Sequence, residues 1–225
     1  MGWEYLGLLF LVCLVLGLVG FYKYAYFISA GYGFSMVGIG ISLTMLCLMK
    51  QFRAEKPHYI IFALLIIYGF RLTWFLMAQG KNATAYKTMQ KMIANEKKIS
   101  ILTKVVTWIG VSAFCVLQTA PLFFNVNNGG FASNWTVAGI VFCVLGLVVE
   151  TIADLQKGAQ EKDSDKVVMK GLYYVVRHLK SFGEIFFWTG ILVSSLGELN
   201  GFGQWAIALI GYICIVLVRF YHLKK

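Results

Sequence analysis

Apolar residues form long runs along almost the whole chain, and polar residues gather between these runs. Seven runs are treated as spans, covering residues 3–22, 25–49, 58–78, 99–124, 135–155, 183–197 and 205–220. About 20 apolar residues in a helix cross about 30 Å of hydrocarbon. The runs lack the alternation of membrane strands, and a lipid-facing backbone must satisfy its own hydrogen bonds. The pattern therefore predicts an all-α polytopic membrane helix bundle of about seven transmembrane helices.

The composition indicates a membrane protein without a separate soluble domain. The chain has 225 residues, of which 59% are hydrophobic and 13% are charged, and its mean hydropathy is +0.73. Soluble domains are about 45–50% apolar and about 25% charged. We therefore expect a single integral membrane domain over residues 1–225. The first run is not typical of a secretory signal, because Glu4 replaces a basic head and further spans follow.

The net charge of +10 comes mainly from basic residues after the third run, after the fifth run and at the end of the chain. Such residues are typical of cytoplasmic loops, so we expect no nucleic-acid partner. In a topology with seven spans, the loop after the third span, the loop after the fifth span and the C-terminus lie on the same side of the membrane. We expect a multi-pass protein, in the cell inner membrane if bacterial, with a cytoplasmic C-terminus. The stretch KQFRAEK at 50–56 is also basic, but this topology places it on the outer side. Either the boundaries of span two or three are wrong, or one of these spans does not cross the membrane fully.

Several ionisable groups lie at membrane depth, where they are rare and usually functional or paired. Glu150 and Asp154 are four residues apart and share one helix face, so they need a cation partner or a shared proton. Arg71 lies deep in the third run, and it is either a structural ion-pair partner or a cation that faces a ligand. Lys104 and Arg219 lie near span ends, where long side chains reach the interface.

The polar residues at the end of the fifth run and the start of the sixth are expected to form one cluster. Its members are Glu150, Asp154, Gln156, Arg177, His178 and Glu184. Arginine and lysine bind phosphate, and carboxylates accept hydrogen bonds from ribose hydroxyls or a carboxamide. The cluster therefore suits an anionic cofactor or substrate. The alternative is that these charges only hold the helix ends together, and the spacing alone does not decide.

No metal site is expected. Iron and zinc accept the ligand types that the cluster offers, but the sequence lacks the clustered histidines of membrane di-iron enzymes. The sequence also has no Walker loop, no G-x-S-x-G and no G-x-G-x-x-G that opens a helix after a strand. A nucleotide would therefore bind without a Rossmann domain.

Two segments, GLVVETIADLQK and GLYYVVRHLKSFGE, resemble the C-terminal signature of the steroid 5α-reductase family, especially its small bacterial membrane branch. That signature reads G-x-x-x-E-x-x-A-D-x-Q and then G-L-W-x-x-x-R-H-P-N-Y-F-G-E. The matching positions are Gly146, Glu150, Ala153, Asp154, Gln156, Gly171, Leu172, Arg177, His178, Phe182, Gly183 and Glu184. Upstream, SAGYGFSMVGIGIS, YGFRLTWFL, Tyr86 and LQTAPL also resemble family motifs. The resemblance covers most of the chain, with residues 146–190 as the signature and cofactor-binding part.

This resemblance implies an NADPH-dependent membrane reductase of a conjugated C=C bond in a small hydrophobic, lipid-like substrate, such as a sterol or isoprenoid. The implied cofactor-binding residues are Glu150, Asp154, Gln156, Arg177, His178, Lys180 and Glu184. A protein acid must supply a proton, and the candidates are Tyr32, Tyr68 and Tyr86. Arg71 is the candidate for a substrate contact. Membrane lipids surround the bundle, and no obligate protein partner is expected.

The chain departs from the family pattern at two places. Where the family has P-N-Y, this chain has Leu179, Lys180 and Ser181. The amide and the phenol that the family pattern places near the nicotinamide are therefore missing. Lys180 can replace them only as a contact to a phosphate. The chain also ends at VRFYHLKK, where family members continue with a tail. Two alternatives stay open: a non-catalytic member of the family, or an enzyme like the S-adenosylmethionine-dependent isoprenylcysteine and phospholipid methyltransferases.

Overall fold

The structure is a computed structural model that describes residues 2–22, 24, 26–78, 100–160 and 179–223. Every regular element in these ranges is helical. The elements are α1 (Trp3–Gly17), α2 (Val19–Tyr22), a π-helical segment (Phe27–Gly31), α3 (Tyr32–Leu48), α4 (Lys56–Ala78), α5 (Ile101–Asn127), α6 (Asn134–Gln160), α7 (Leu179–Val193) and α8 (Gly201–Leu223). The all-α prediction is confirmed, and each of the seven predicted spans overlaps one of the helices α1 and α3 to α8.

Five helical stretches in the described ranges are long and apolar enough to cross a membrane. They are Glu4–Tyr22, Lys56–Trp74, Ile101–Asn127, Asn134–Gln156 and Gly201–Tyr221. α3 and α7 have 17 and 15 residues, fewer than the 20 or so of a typical span. Large apolar side chains such as Leu11, Val106 and Leu217 are more than half exposed on the outside of the bundle. These features fit a multi-pass membrane protein, because lipid tails would cover such a surface.

The predicted span boundaries differ from those of the helices, and two spans illustrate this. Span 25–49 is divided into the π-helical segment and α3, and span 183–197 corresponds to a helix that begins at Leu179 and ends at Val193. Lys180 and Ser181 lower the local hydropathy although they lie in the first turn of α7. Ser194 follows the helix and donates its hydroxyl to the Ile191 carbonyl. Hydropathy reports the solvent that a segment faces, and it does not report where backbone hydrogen bonding stops.

The loops at one end of the bundle pack against each other. The Arg53 guanidinium lies 4.9 Å from the centroid of the Phe131 ring, and the Asn128 amide donates to the Glu198 carbonyl. The basic stretch 50–56 and the loop after α5 are therefore at the same end, as a seven-span topology requires. We call this the loop end, and the opposite end of the bundle holds the residues of the predicted site.

Glycines bring neighbouring helices into backbone contact. α3 and α4 run antiparallel, and a Cβ on Gly33 would lie 2.9 Å from the Gly69 carbonyl oxygen. In the α6–α7 pair, a Cβ on Gly146 would lie 2.6 Å from the backbone nitrogen of Phe187, and a Cβ on Gly183 would lie 2.6 Å from Cγ of Glu150. Small residues allow such close packing in membrane bundles. The contact between α6 and α7 places the acids of the two helices next to each other.

Changing Gly183 to leucine is expected to push α6 and α7 apart and to lower the free energy of unfolding by about 1–3 kcal/mol, as over-packing generally does. Thermal unfolding of the protein in lipid nanodiscs would measure the effect. Gly203→Leu in α8 is the matched control, because a Cβ there meets nothing within 4 Å. Equal melting temperatures for the two variants would contradict this role of the glycine contact.

Candidate functional site

Arg71 of α4 lies between the two acids of α6. Its Nη2 is 2.5 Å from Oε2 of Glu150, and its Nη1 is 2.8 Å from Oδ2 of Asp154. Glu150 is fully buried and Asp154 is 6% exposed. The two carboxylates share a helix face, as their spacing predicts. Of the two predicted possibilities, a cation partner or a shared proton, the structure has the cation partner. A guanidinium suits this place because its fork of donors reaches two carboxylates at once.

α7 adds a cation and an acid to this group, and α8 adds a second arginine. Lys180 Nζ lies 2.9 Å from Oδ1 of Asp154. Glu184, 1% exposed, forms an ion pair with Arg219. Arg219 was predicted to reach the membrane interface, and this prediction is wrong because the side chain turns inward to the buried carboxylate. A position near a span end indicates depth, but it does not indicate which face of the helix the residue occupies.

These side chains form one ion-pair network across α4, α6, α7 and α8. Its members are Arg71, Glu150, Asp154, Lys180, Glu184 and Arg219. Three carboxylates face three cations, so this network has no surplus of positive charge among the residues that the structure places. A polyanionic ligand would therefore need further cations from elsewhere in the chain. Arg177 and His178, two of the predicted cofactor-binding residues, lie outside the described residues, as does Tyr86.

Three polar atoms at this end are buried without a hydrogen-bond partner in the described part of the chain. They are the acceptors Glu150 Oε1 and Gln156 Oε1 and the donor Arg71 Nε. Unpaired buried polar atoms are uncommon in native proteins, and each one calls for a partner. The two acceptors fit hydroxyl or amide donors such as those of a ribose or a carboxamide. This set of two acceptors and one donor therefore suits neutral polar groups better than phosphates.

Tyr68 lies on α4, one turn deeper in the bundle than Arg71. Its ring stacks on Phe187 with centroids 4.4 Å apart and planes 9° apart, and it meets Trp188 edge-on at 5.6 Å. Its hydroxyl is buried and interacts with the Trp188 indole, which can only donate. Within the described ranges the phenol proton therefore has no acceptor. Tyr68 also interacts electrostatically with Glu184, Glu150 and Arg219. A phenol with an available proton thus lies next to the ion-pair network in an aromatic environment.

Tyr32, at the start of α3, is buried on the other side of this region. Its hydroxyl donates to Oε1 of Gln118 on α5 at a distance of 2.7 Å. Electrostatic interactions link it to Tyr68, Arg219 and Glu184. The structure therefore brings two of the three candidate tyrosines close to the network. It also gives the Tyr32 proton an acceptor, whereas the Tyr68 proton has none.

Gln118, Trp188 and Arg219 take part in this region but were not among the predicted site residues. A glutamine in the middle of an apolar run is a signal that could have pointed to Gln118, since buried amides in a membrane need partners. Trp188 has no feature in the sequence that separates it from other aromatic residues. Within the ranges that the structure describes, no group of three or more His, Cys, Asp or Glu residues could hold a metal ion.

The profile of one protein family matches residues 27–222. The family is DUF1295, described as a protein of unknown function. The chain belongs to this family. The match begins at the π-helical segment and continues into the last turn of α8, so the whole ion-pair network lies within the family region. No curated protein and no solved structure matches the chain.

Proposed function

We propose that this DUF1295 protein is an NADPH-dependent membrane reductase that reduces a conjugated C=C bond of a lipid-like substrate. The observation that carries the proposal is the position of the buried Tyr68 hydroxyl directly beside the ion-pair network. Such a reaction needs a polar region for a dinucleotide and a neutral acid in an apolar region for the substrate. The motif resemblance to the steroid 5α-reductase family supports the same reaction.

The cofactor would occupy the end of the bundle that holds the network. Glu150 Oε1 and Gln156 Oε1 would accept from ribose hydroxyls or the carboxamide, and Arg71 Nε would donate to an oxygen. Arg177, together with His178 and Lys180, would meet the phosphates, which supplies the positive charge that the balanced network lacks. Asp154 would orient Arg71 and Lys180, and Glu184 would lie near the nicotinamide. When bound, NADPH supplies a hydride for the electron-poor carbon of the substrate.

The chain itself would supply the proton that completes the reduction. Tyr68 holds its proton on Oη in a region where Phe187 and Trp188 exclude water. Arg219 interacts electrostatically with this phenol, and a cation stabilises the phenolate that remains after proton transfer. Tyr32 is the second candidate because its proton already has an acceptor. One hydride and one proton convert the conjugated double bond into a CH–CH unit.

The proposal places the network end and the C-terminus on the cytoplasmic side of the membrane. α4 and α6 both end here. The sequence that follows each of them is rich in basic residues, which is typical of cytoplasmic loops. Soluble NADPH would reach its site from that side, whereas the substrate would arrive from the lipid.

A non-catalytic role is the second candidate, and one observation favours it. The ion-pair network balances its own charges, so it could serve only to hold four helices together. In that case the acids and cations of the signature would stabilise the bundle without binding a nucleotide.

Titration of the purified protein in nanodiscs with NADPH and with S-adenosylmethionine is expected to detect NADPH binding alone. Arg177→Ala and Glu184→Gln are each expected to weaken NADPH binding at least about tenfold, because the first removes a cation that would meet the phosphates and the second removes a charged acceptor that would lie near the nicotinamide. Arg53→Ala, at the loop end, is the matched control and should bind as the wild type does. Binding of S-adenosylmethionine instead would indicate a methyltransferase, and binding of neither cosubstrate would support the non-catalytic role.

A further inference from the structure

α1 and α5 pack against each other in antiparallel directions. Gly2, just before α1, lies so close to Asn127 at the end of α5 that a Cβ on the glycine would collide with the asparagine side chain. Nearer the other end of the bundle, the Trp108 indole of α5 donates to the Leu14 carbonyl of α1 at 2.9 Å. These contacts fix how far α1 is shifted along α5.

This register places two thiols opposite each other. Gly17 of α1 meets Ser112 of α5, since a Cβ on the glycine would lie 3.7 Å from the serine hydroxyl oxygen. In antiparallel helices with about 3.6 residues per turn, the residue one turn before Gly17 then faces the residue one turn after Ser112. Those residues are Cys13 and Cys115. Both are 0% exposed and belong to the same apolar core.

The side chains of the two cysteines are in direct contact. The Cys115 thiol is hydrogen-bonded to the Cys13 thiol and to the Ser35 hydroxyl of α3, and both cysteines are free thiols in the structure. Cys143 is equally buried, but its thiol donates to the Phe187 carbonyl. A sulfur in contact with a second sulfur can form a covalent bond to it, whereas a sulfur in contact with a carbonyl cannot.

We propose that Cys13 and Cys115 are an oxidation site, at which an apolar oxidant dissolved in the membrane joins α1 to α5 through a disulfide. One S–S bond forms and two S–H bonds break. Dioxygen takes up the two electrons and the two protons and becomes hydrogen peroxide. Each electron leaves together with a proton, so the reaction leaves no charge in the apolar interior, where an unpaired charge is costly.

The position of the pair selects the kind of oxidant. Both thiols lie near the middle of the apolar stretches of α1 and α5. Leu11 and Val15, on the outer face of α1, are more than half exposed, so α1 alone separates the pair from lipid on this side. A water-soluble disulfide such as glutathione disulfide must be attacked by a thiolate, and a thiolate is unfavourable in apolar surroundings. The pair is therefore open to oxidants in the membrane and closed to those in water.

The disulfide would tie α1 to the part of the chain that matches the family. α1 precedes residues 27–222, whereas Cys115 lies inside them. A bond between Cys13 and Cys115 closes a long loop that contains α3 and α4, so it restricts the unfolded chain and stabilises the bundle. The pair contains no member of the ion-pair network, so this inference does not depend on the proposed reductase function.

Treatment of the full chain in nanodiscs with dioxygen, with copper–phenanthroline as the catalyst, tests the site. Mass spectrometry of unreduced peptides is expected to show Cys13 linked to Cys115, with the remaining thiols alkylated during denaturation to prevent exchange. The melting temperature should rise by roughly 5–10 °C, because the disulfide closes a long loop. The same incubation with glutathione disulfide under argon is expected to leave both thiols reduced.

Single substitutions locate the link. Cys13→Ser and Cys115→Ser are each expected to abolish both the cross-link and the rise in melting temperature. Cys143→Ser is the matched control, because it removes an equally buried thiol that lies against a carbonyl, and it should form the link as the wild type does. The peptide map of the wild type identifies the linked residues directly, so the test stays informative if a variant folds poorly.

Three outcomes would overturn the inference: no link between Cys13 and Cys115 with dioxygen and the catalyst, a link between other cysteines only, or equally fast linking by glutathione disulfide. The first two would mean that the two sulfurs do not reach bonding distance, and the third would mean that the pair is reached from water. None of these outcomes bears on NADPH binding, which the cosubstrate titration decides separately.

Discussion

Replacing Arg71 with methionine is expected to lower the free energy of unfolding by about 3–5 kcal/mol, the usual effect of removing one partner from a buried ion pair. Arg71 is the cation that contacts both Glu150 and Asp154. Without it, two carboxylates remain close together in the interior, and only Lys180 still faces one of them. Reversible unfolding in mixed micelles, followed by tryptophan fluorescence, would measure the loss.

A compensating variant separates the effect of the Arg71 charge on stability from the effect of its side-chain packing. Arg71→Met combined with Glu150→Gln and Asp154→Asn removes both buried carboxylate charges. Lys180 loses its contact with Asp154, but its side chain is 37% exposed and can be solvated, so most of the lost stability is expected to return. Arg53→Met removes an exposed arginine at the loop end and should have little effect. If the triple variant is no more stable than the single variant, the methylene packing of Arg71 matters more than its charge.

Replacing Tyr68 with phenylalanine is expected to lower the rate of enone reduction roughly 10²–10⁴-fold, the usual contribution of a positioned general acid. The affinity for NADPH should be unchanged, since the ring still stacks on Phe187 and only the hydroxyl is lost. Oxidation of NADPH with cholest-4-en-3-one as substrate would measure kcat, and fluorescence titration would measure cofactor binding.

Tyr32→Phe is the matched comparison for this test. It removes a hydroxyl of the same chemistry, but one whose proton already has Gln118 as acceptor, so a loss of only about 2- to 10-fold is expected from the weaker orientation of the amide. A larger loss in Tyr32→Phe than in Tyr68→Phe would make Tyr32 the proton donor. If neither change lowers the rate, Tyr86 becomes the donor to test.

Most of the fold could be predicted from the sequence because the membrane imposes one dominant rule. A run of apolar residues that crosses lipid must be helical, so the number of long helices follows from the runs. Helix boundaries depend on hydrogen bonding that hydropathy does not report. Hydropathy therefore misplaces helix boundaries at two points. One is the π-helical segment before α3, and the other is the polar first turn of α7, at Lys180 and Ser181.

The site could be predicted only in part. The four-residue spacing of Glu150 and Asp154 predicted a cation partner or a shared proton. The partner, Arg71, is 79 residues away from the nearer acid, and only tertiary packing selects it. Arg219 shows the opposite problem, because a cation near a helix end is compatible with either the interface or the interior. The presence of buried Glu184 would have favoured the interior, since such an acid needs a partner.

The charge balance of the ion-pair network has a consequence for a protein in an energised membrane. A transmembrane voltage acts on net charge, with a full crossing worth roughly 2.3 kcal/mol per elementary charge per 100 mV. With all six groups ionised, the network feels almost no net electrical force, so α4, α6, α7 and α8 can keep their depth as the voltage changes. Arg71→Met would leave one excess negative charge there, and the stability of that variant should then depend on the voltage across the bilayer.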